Sequence, residues 1–326
     1  MRPLAGARAW LITDGKAGHE AQAEGVAEAL GLDWEWRRVA PKGLALLLAP
    51  WGPAPRDFAC APPWPEIAIG VGRTAMPSLR RLHRRAGPST FVVALQDPRT
   101  SSRIADLIWV PEHDRRRGQG VVTTLTSPHR FTPALLGRLR AAADPAIDSL
   151  PSPRVMLAIG GAAKVWRYTE ADVARLASAI ADIGRSGASF MVTPSRRTPA
   201  DVLAAVATAL QPFPHILYRG GDDNPYARFL AKADAVVVTA DSVSMTGEAL
   251  ATGRPVYVFR PTGGSAKFLR FHDRLVACGA TRLLSADERI NFDWGHAPIL
   301  AAETIADEIA QRILNRRRYL KRAEGR

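Results

Sequence analysis

The strongest constraint on this chain is rhythm. Short, apolar, β-type runs alternate with segments that carry apolar residues at helical spacing, from one end to the other. In the first half the runs are "AWLIT" (9–13), "EIAIGVG" (66–72), "TFVVAL" (90–95), "LIWVP" (107–111) and "GVVTTL" (120–125). Between the first two lies "HEAQAEGVAEALG", in which Ala23, Val26, Ala27 and Leu30 mark one helical face and Gly31 supplies a stop. A second series begins after residue 154, with strands predicted at 155–161, 189–195, 215–220, 235–240 and 255–260 and helices at 170–183, 199–210 and 245–252. Strands that are continuously apolar and separated by helices are buried on both faces. The predicted fold class is therefore α/β, with doubly wound parallel sheets.

At 326 residues the chain exceeds what one hydrophobic core usually serves, so two domains are expected. Periodicity fails and three prolines gather in "AADPAIDSLPSPR" (142–154). The predicted division is an N-terminal Rossmann-like domain at 1–147, a C-terminal one at 148–301, and a last helix with a basic tail at 302–326 that folds back on the first domain.

The formal charge of +13 resembles a nucleic-acid signature, but residues 1–150 hold 20 basic and 14 acidic side chains and the remainder 24 and 17. An excess spread so evenly, without an RNA-binding signature, aromatic ladder or zinc spacing, argues against a nucleic-acid partner. Local basic runs remain at 80–85, 115–117 and 315–322, and they suit either solvated faces or anionic headgroups. "GLALLLAPWG" (43–52) is apolar but far shorter than the ~20 residues a membrane helix needs, so it belongs in a core or against a membrane surface. Two isolated cysteines, Cys60 and Cys278, give no disulfide framework, and the N-terminus lacks a signal-peptide pattern. The expected location is cytoplasmic, with peripheral association at the inner face of the cytoplasmic membrane left open as an alternative.

Ligands of doubly wound sheets bind outside the carboxyl ends of the strands, where the next helices present free N–H groups. Polar clusters fall at that position repeatedly. After the first strand, "TDGKAGHEAQ" offers Asp14, Lys16, Gly18 and His19, with Asp14 as cap or ligand and His19 as base or first-turn residue. "LQDPR" places Asp97 just past a strand, and "SPHRF" places His129 on a loop; either group could accept a proton, or merely close a turn or cap a helix. In the second half, Gly160 and Gly161 follow a strand, with Lys164 nearby, and Ser195 and Arg196 sit between a strand and a helix. Two such loops suit a diphosphate. Asp241, Ser242 and Ser244 crowd the next strand end, and Glu248 stands one turn into the helix, placed to accept the hydroxyls of a ribose.

These motifs, with "VPEHD", "DNPY" and "TADSVSMTGEA", resemble the bacterial and plant family named after the elongated-mitochondria mutant, a mitochondrial-fission type once described as a domain of unknown function. That family is similar in turn to GT-B glycosyltransferases such as the lipid A disaccharide synthase and the peptidoglycan N-acetylglucosaminyltransferase. The resemblance implies two Rossmann-like domains facing a central cleft. It further implies that Gly160, Gly161, Ser195, Arg196, Ser242, Ser244, Met245 and Glu248 line the site of a nucleotide-sugar donor. His19, or alternatively Asp97, is then the base, with Asp14, Lys16, Gly18 and His129 on the acceptor side.

The expected activity is metal-independent sugar transfer from a donor, UDP-linked by expectation, to a cell-envelope or lipid-linked acceptor, with no cofactor. The family's plant member is associated with organelle division, which keeps open a non-catalytic recruitment protein of the same fold. A nucleotide-sugar epimerase working by elimination is the third reading, since no dinucleotide fingerprint is present to hold NAD.

Overall fold

A computed structural model describes residues 4–162, 165–285 and 290–324, which form two compact units, one of 4–130 with 300–324 and one of 131–299. The first unit contains β1 (Arg8–Thr13), α1 (Ala17–Leu30), β2 (Asp33–Arg38), α2 (Gly43–Leu48), β3 (Ile67–Val71), α3 (Met76–Ala86), β4 (Phe91–Leu95), β5 (Leu107–Pro111) and β6 (Val121–Thr124). Its six strands are all parallel, in the order β2-β1-β3-β4-β5-β6. One face is covered by α1, through Ala23, Val26, Ala27 and Leu30, together with the last helix; α3 covers the other through Met76, Leu79 and Leu82.

The second unit runs through α4 (Pro133–Ala141), α5 (Pro145–Asp148), β7 (Arg154–Ile159), β8 (Trp166–Arg167), α6 (Glu170–Arg185), β9 (Ser189–Pro194) and α7 (Ala200–Leu210). It continues with β10 (His215–Leu217), α8 (Tyr226–Lys232), β11 (Ala235–Thr239), α9 (Val243–Leu250), β12 (Val256–Phe259), β13 (Thr262–Gly263), α10 (Ala266–Ala277) and β14 (Arg282–Leu283). Its main sheet is parallel in the order β10-β9-β7-β11-β12-β14, and β8 pairs with β13 in a separate two-stranded ribbon. The chain then returns to the first unit as α11 (Ala301–Glu324), which packs on α1 through Ile305, Ile309 and Ile313.

The division therefore falls near residue 130, not at the 147/148 boundary expected from the prolines. The physical reason is that α4 and α5 are tied to α8. Arg140 donates to the Ala233 carbonyl at 2.8 Å, and the buried ammonium of Lys232 meets Asp148 at 2.7 Å. The proline-rich stretch is an entry turn of the second unit. The strand β2 escaped the sequence reading because "DWEWRR" is an edge strand whose charged side chains are largely outside, and β8, β13 and β14 escaped it because two residues each leave no periodic pattern. Among the described residues, no helix is long and apolar enough to cross a membrane.

Candidate functional site

Each sheet has one point at which the winding direction reverses. In the first unit it lies between β1 and β3, and in the second between β7 and β11. At such a point the two following loops diverge to opposite faces and leave a crevice. The candidate residues cluster at both.

In the first unit the loop after β1 is organised by Asp14. Its Oδ2 accepts from Lys16 Nζ at 2.5 Å, and its Oδ1 accepts from the Lys16 amide at 3.3 Å and lies 2.7 Å from His19 Nδ1. Burial would raise the Asp14 carboxyl, but these partners outweigh it and hold the group below its ordinary value, as a carboxylate. The half-buried imidazole lies against Gly72 at the end of β3. Gly72 has φ +84°, and a Cβ there would stand 2.6 Å from the ring, so only glycine leaves room for it. With Nδ1 turned to the carboxylate, Nε2 carries no hydrogen bond among the described residues. A carboxylate that fixes the tautomer of a histidine in this way makes the other nitrogen a proton acceptor.

The other candidates of this unit fare differently. Gly18 is the second residue of α1 and faces open space, while Lys16 is exposed. Asp97 Oδ1 accepts from Arg116 Nη1 at 2.7 Å and from the Arg99 amide at 2.8 Å, which commits it to bracing its own loop. His129 is buried, and its backbone packs against Gly25 of α1. Beside His19, one turn along α1, Gln22 accepts from the Gln96 amide group at 3.0 Å, and Gln96 holds φ +75°, an uncommon conformation for a residue with a side chain. Neither Gly72 nor this glutamine pair was singled out from sequence.

In the second unit the loop after β7 meets the loop after β11. Gly161 N–H donates to Asp241 Oδ2 at 2.7 Å, Gly160 N–H donates to Thr239 Oγ1 at 2.7 Å, and Tyr168 donates to Asp241 Oδ1 at 3.3 Å. Burial pushes the Asp241 carboxyl up against the pull of these bonds. A Cβ on Gly160 would run into that carboxylate, and one on Gly161 into the backbone of Arg197. The two glycines thus serve contact between protein loops: the Gly161 amide expected to face phosphate is spent on Asp241. Thr198 completes the knot by donating to the Gly160 carbonyl at 2.6 Å, and Ser195 Oγ accepts from the Arg197 amide at 3.2 Å.

Groups that remain directed outward lie at α9. Ser242 caps the helix by accepting from the Met245 amide at 3.3 Å. The amides of Val243 and Ser244 carry no acceptor among the described residues, and Ser244 itself is exposed. Arg196 is also exposed, with no ion pair among the described residues. Half-buried Glu248 accepts from the hydroxyl of Tyr226 at 2.5 Å, which fixes the carboxylate one turn beyond the cap. Burial and the neighbouring carboxylate hold the Tyr226 phenol far above its ordinary value, so it stays a donor. Tyr226 was visible only as part of "DNPY", without a role. Lys164 lies outside the described residues.

The fold these units define is the two-domain α/β architecture of GT-B proteins. It is shared with MurG of Acinetobacter baumannii (TM-score 0.52, 15% identity, 95% of this chain and 98% of that one). It is shared likewise with a putative UDP-N-acetylglucosamine 2-epimerase of Listeria monocytogenes (0.56, 12%, 95% of each) and a Polygonum tinctorium UDP-glucosyltransferase (0.51, 12%, 98% and 94%). Residues 17–313 match the family described as Mitochondrial fission ELM1, and the chain belongs to that family. The Mitochondrial fission protein ELM1 of Arabidopsis thaliana is 31% identical over 277 residues, covering 76% of this chain and 65% of the relative. A Rickettsia prowazekii protein is 30% identical over 157 residues, 46% of this chain and 44% of its own length. The chain thus spans less than two thirds of either relative.

Proposed function

We propose that the protein transfers a sugar from a nucleoside diphosphate, UDP in the first instance, to a hydroxyl of a lipid-linked or cell-envelope acceptor. The observation that carries this reading is the His19–Asp14 pair pinned on Gly72 at the winding reversal of the first sheet. His19 Nε2 takes the proton of the acceptor hydroxyl. The oxygen then forms its bond to the anomeric carbon as the bond from that carbon to the diphosphate oxygen breaks, and the diphosphate leaves with the electron pair. Asp14 stabilises the imidazolium that results. In the second unit, the open amides of α9, the Ser244 hydroxyl and Arg196 are the groups suited to the diphosphate charge, and Glu248, held by Tyr226, is suited to the ribose hydroxyls.

A second reading has one observation in its favour. Asp241 places a carboxylate where a phosphate would otherwise find the Gly161 amide, as suits a recruitment protein that keeps the fold without turnover. Following UDP released from several UDP-sugars, with and without membrane extract, separates these readings. Sugar transfer requires release that depends on the extract and is lost in His19→Ala. Release without any acceptor indicates elimination of the nucleotide, as in an epimerase. Absence of release under every condition favours recruitment.

A further inference from the structure

Nine large apolar side chains are exposed among the described residues, and five of them fall within eight positions: Leu44, Leu46, Leu47, Leu48 and Trp51. Leu47 is 74% exposed, Leu44 69% and Trp51 65%, so α2 and the turn after it form an apolar plate on the surface of the first unit. Scattered exposed leucines need no explanation, whereas a contiguous set does. The plate is held rigidly. Arg73 donates to the Ala49 carbonyl at 2.6 Å, and Arg80 of α3 donates to the carbonyls of Pro50, Trp51 and Gly52.

The same arginine helix flanks the plate with positive charge. A hollow of about 400 Å³ is lined by Pro53, Pro77, Arg80, Arg81, Arg84 and Arg85. None of these four arginines pairs with a carboxylate among the described residues; Arg80, Arg81 and Arg85 donate to backbone carbonyls instead, as with Arg85 on Cys60 at 2.9 Å. Four guanidinium groups gathered without a counter-charge call for anions, and leucines with a tryptophan beside them call for an acyl-chain boundary. An anionic lipid surface presents both side by side.

We propose that α2, the turn to Gly52 and the basic face of α3 dock the protein on an anionic phospholipid bilayer, the leucines and Trp51 entering the headgroup boundary and the arginines taking lipid phosphates. This goes beyond sugar transfer and stands without it: vesicle binding needs neither His19 nor Glu248.

The test is flotation of the full chain with vesicles of phosphatidylcholine containing phosphatidylglycerol, against vesicles of phosphatidylcholine alone and against inorganic phosphate in excess over the lipid phosphate. Binding is expected on the anionic vesicles, to weaken with salt, and to survive free phosphate. Leu44→Ser with Leu47→Ser should lower it by at least about tenfold, and Arg84→Gln by about fivefold. These positions are exposed and Arg84 anchors no carbonyl in the turn, so an unchanged melting temperature certifies the fold. Equal binding by the folded variants, no binding by the wild type, or a solution dimer that the leucine substitutions dissolve would each overturn the proposal.

Discussion

His19 Nδ1 and Asp14 Oδ1 are 2.7 Å apart, five residues apart in sequence, on a loop that returns the helix start to the strand end. The relationship fixes which imidazole nitrogen is available. Long-range nitrogen–proton spectra of the histidine rings should show the proton of His19 on Nδ1. Asp14→Asn should disturb that tautomer and lower UDP release by about 10²–10⁴-fold, in line with losses at comparable pairs.

Gly72 sets the other wall of the ring. Gly72→Ala demands φ +84° of a residue with a Cβ and drives that Cβ into the imidazole. A stability loss of about 1–3 kcal/mol is expected by chemical denaturation, with displacement of the His19 ring signals.

Asp172 ties the start of α6 to β13. It accepts from the Thr169 amide at 3.0 Å, from the Thr262 amide at 3.0 Å and from Arg175 at 2.6 Å. Burial alone would raise its carboxyl, yet these donors hold it well below the usual carboxylate range. Because the folded value is depressed, the stabilisation is full above the unfolded value and fades as pH falls through the folded one. Asp172→Ala should cost about 2–4 kcal/mol at neutral pH, and the gap to wild type should narrow only in strong acid.

His272 works in the same sense at a higher pH. It is fully buried on α10, with its Nε2 2.8 Å from the Ala240 carbonyl, and burial lowers its value from 6.5 to about 4. The unfolded chain binds a proton that the folded chain refuses, so stability should fall as pH drops from about 6.5 to about 4, by about 3 kcal/mol in all. His272→Gln should be less stable at pH 7 and should flatten that slope in a pH series of thermal melts.

How far the residues announced this structure depends on what each one faces. Strands such as "AVVVTA" were legible because burial on both sides leaves no room for polar alternation, whereas β2, at the sheet edge, carries Asp33, Glu35 and two arginines and reads as loop. The loops at the strand ends were legible through their crowding of polar residues. Their internal bonding was not, since the capture of the Gly161 amide by Asp241 spans 80 residues of sequence. Gly72 was read as part of a strand, and its role follows only from the ring that lies on it. The partnership of Tyr226 with Glu248 joins two helices with a strand between them and leaves no periodic trace.

Calorimetric titration of UDP into the whole chain tests the placement of the nucleotide at α9 most directly. Wild type and His19→Ala should bind alike, while Glu248→Ala should bind at least about tenfold more weakly, the loss of a charged hydrogen-bond acceptor to the ribose. Equal affinity in Glu248→Ala, with the fold intact, would contradict the placement of the nucleotide at α9 and with it the sugar-transfer reading.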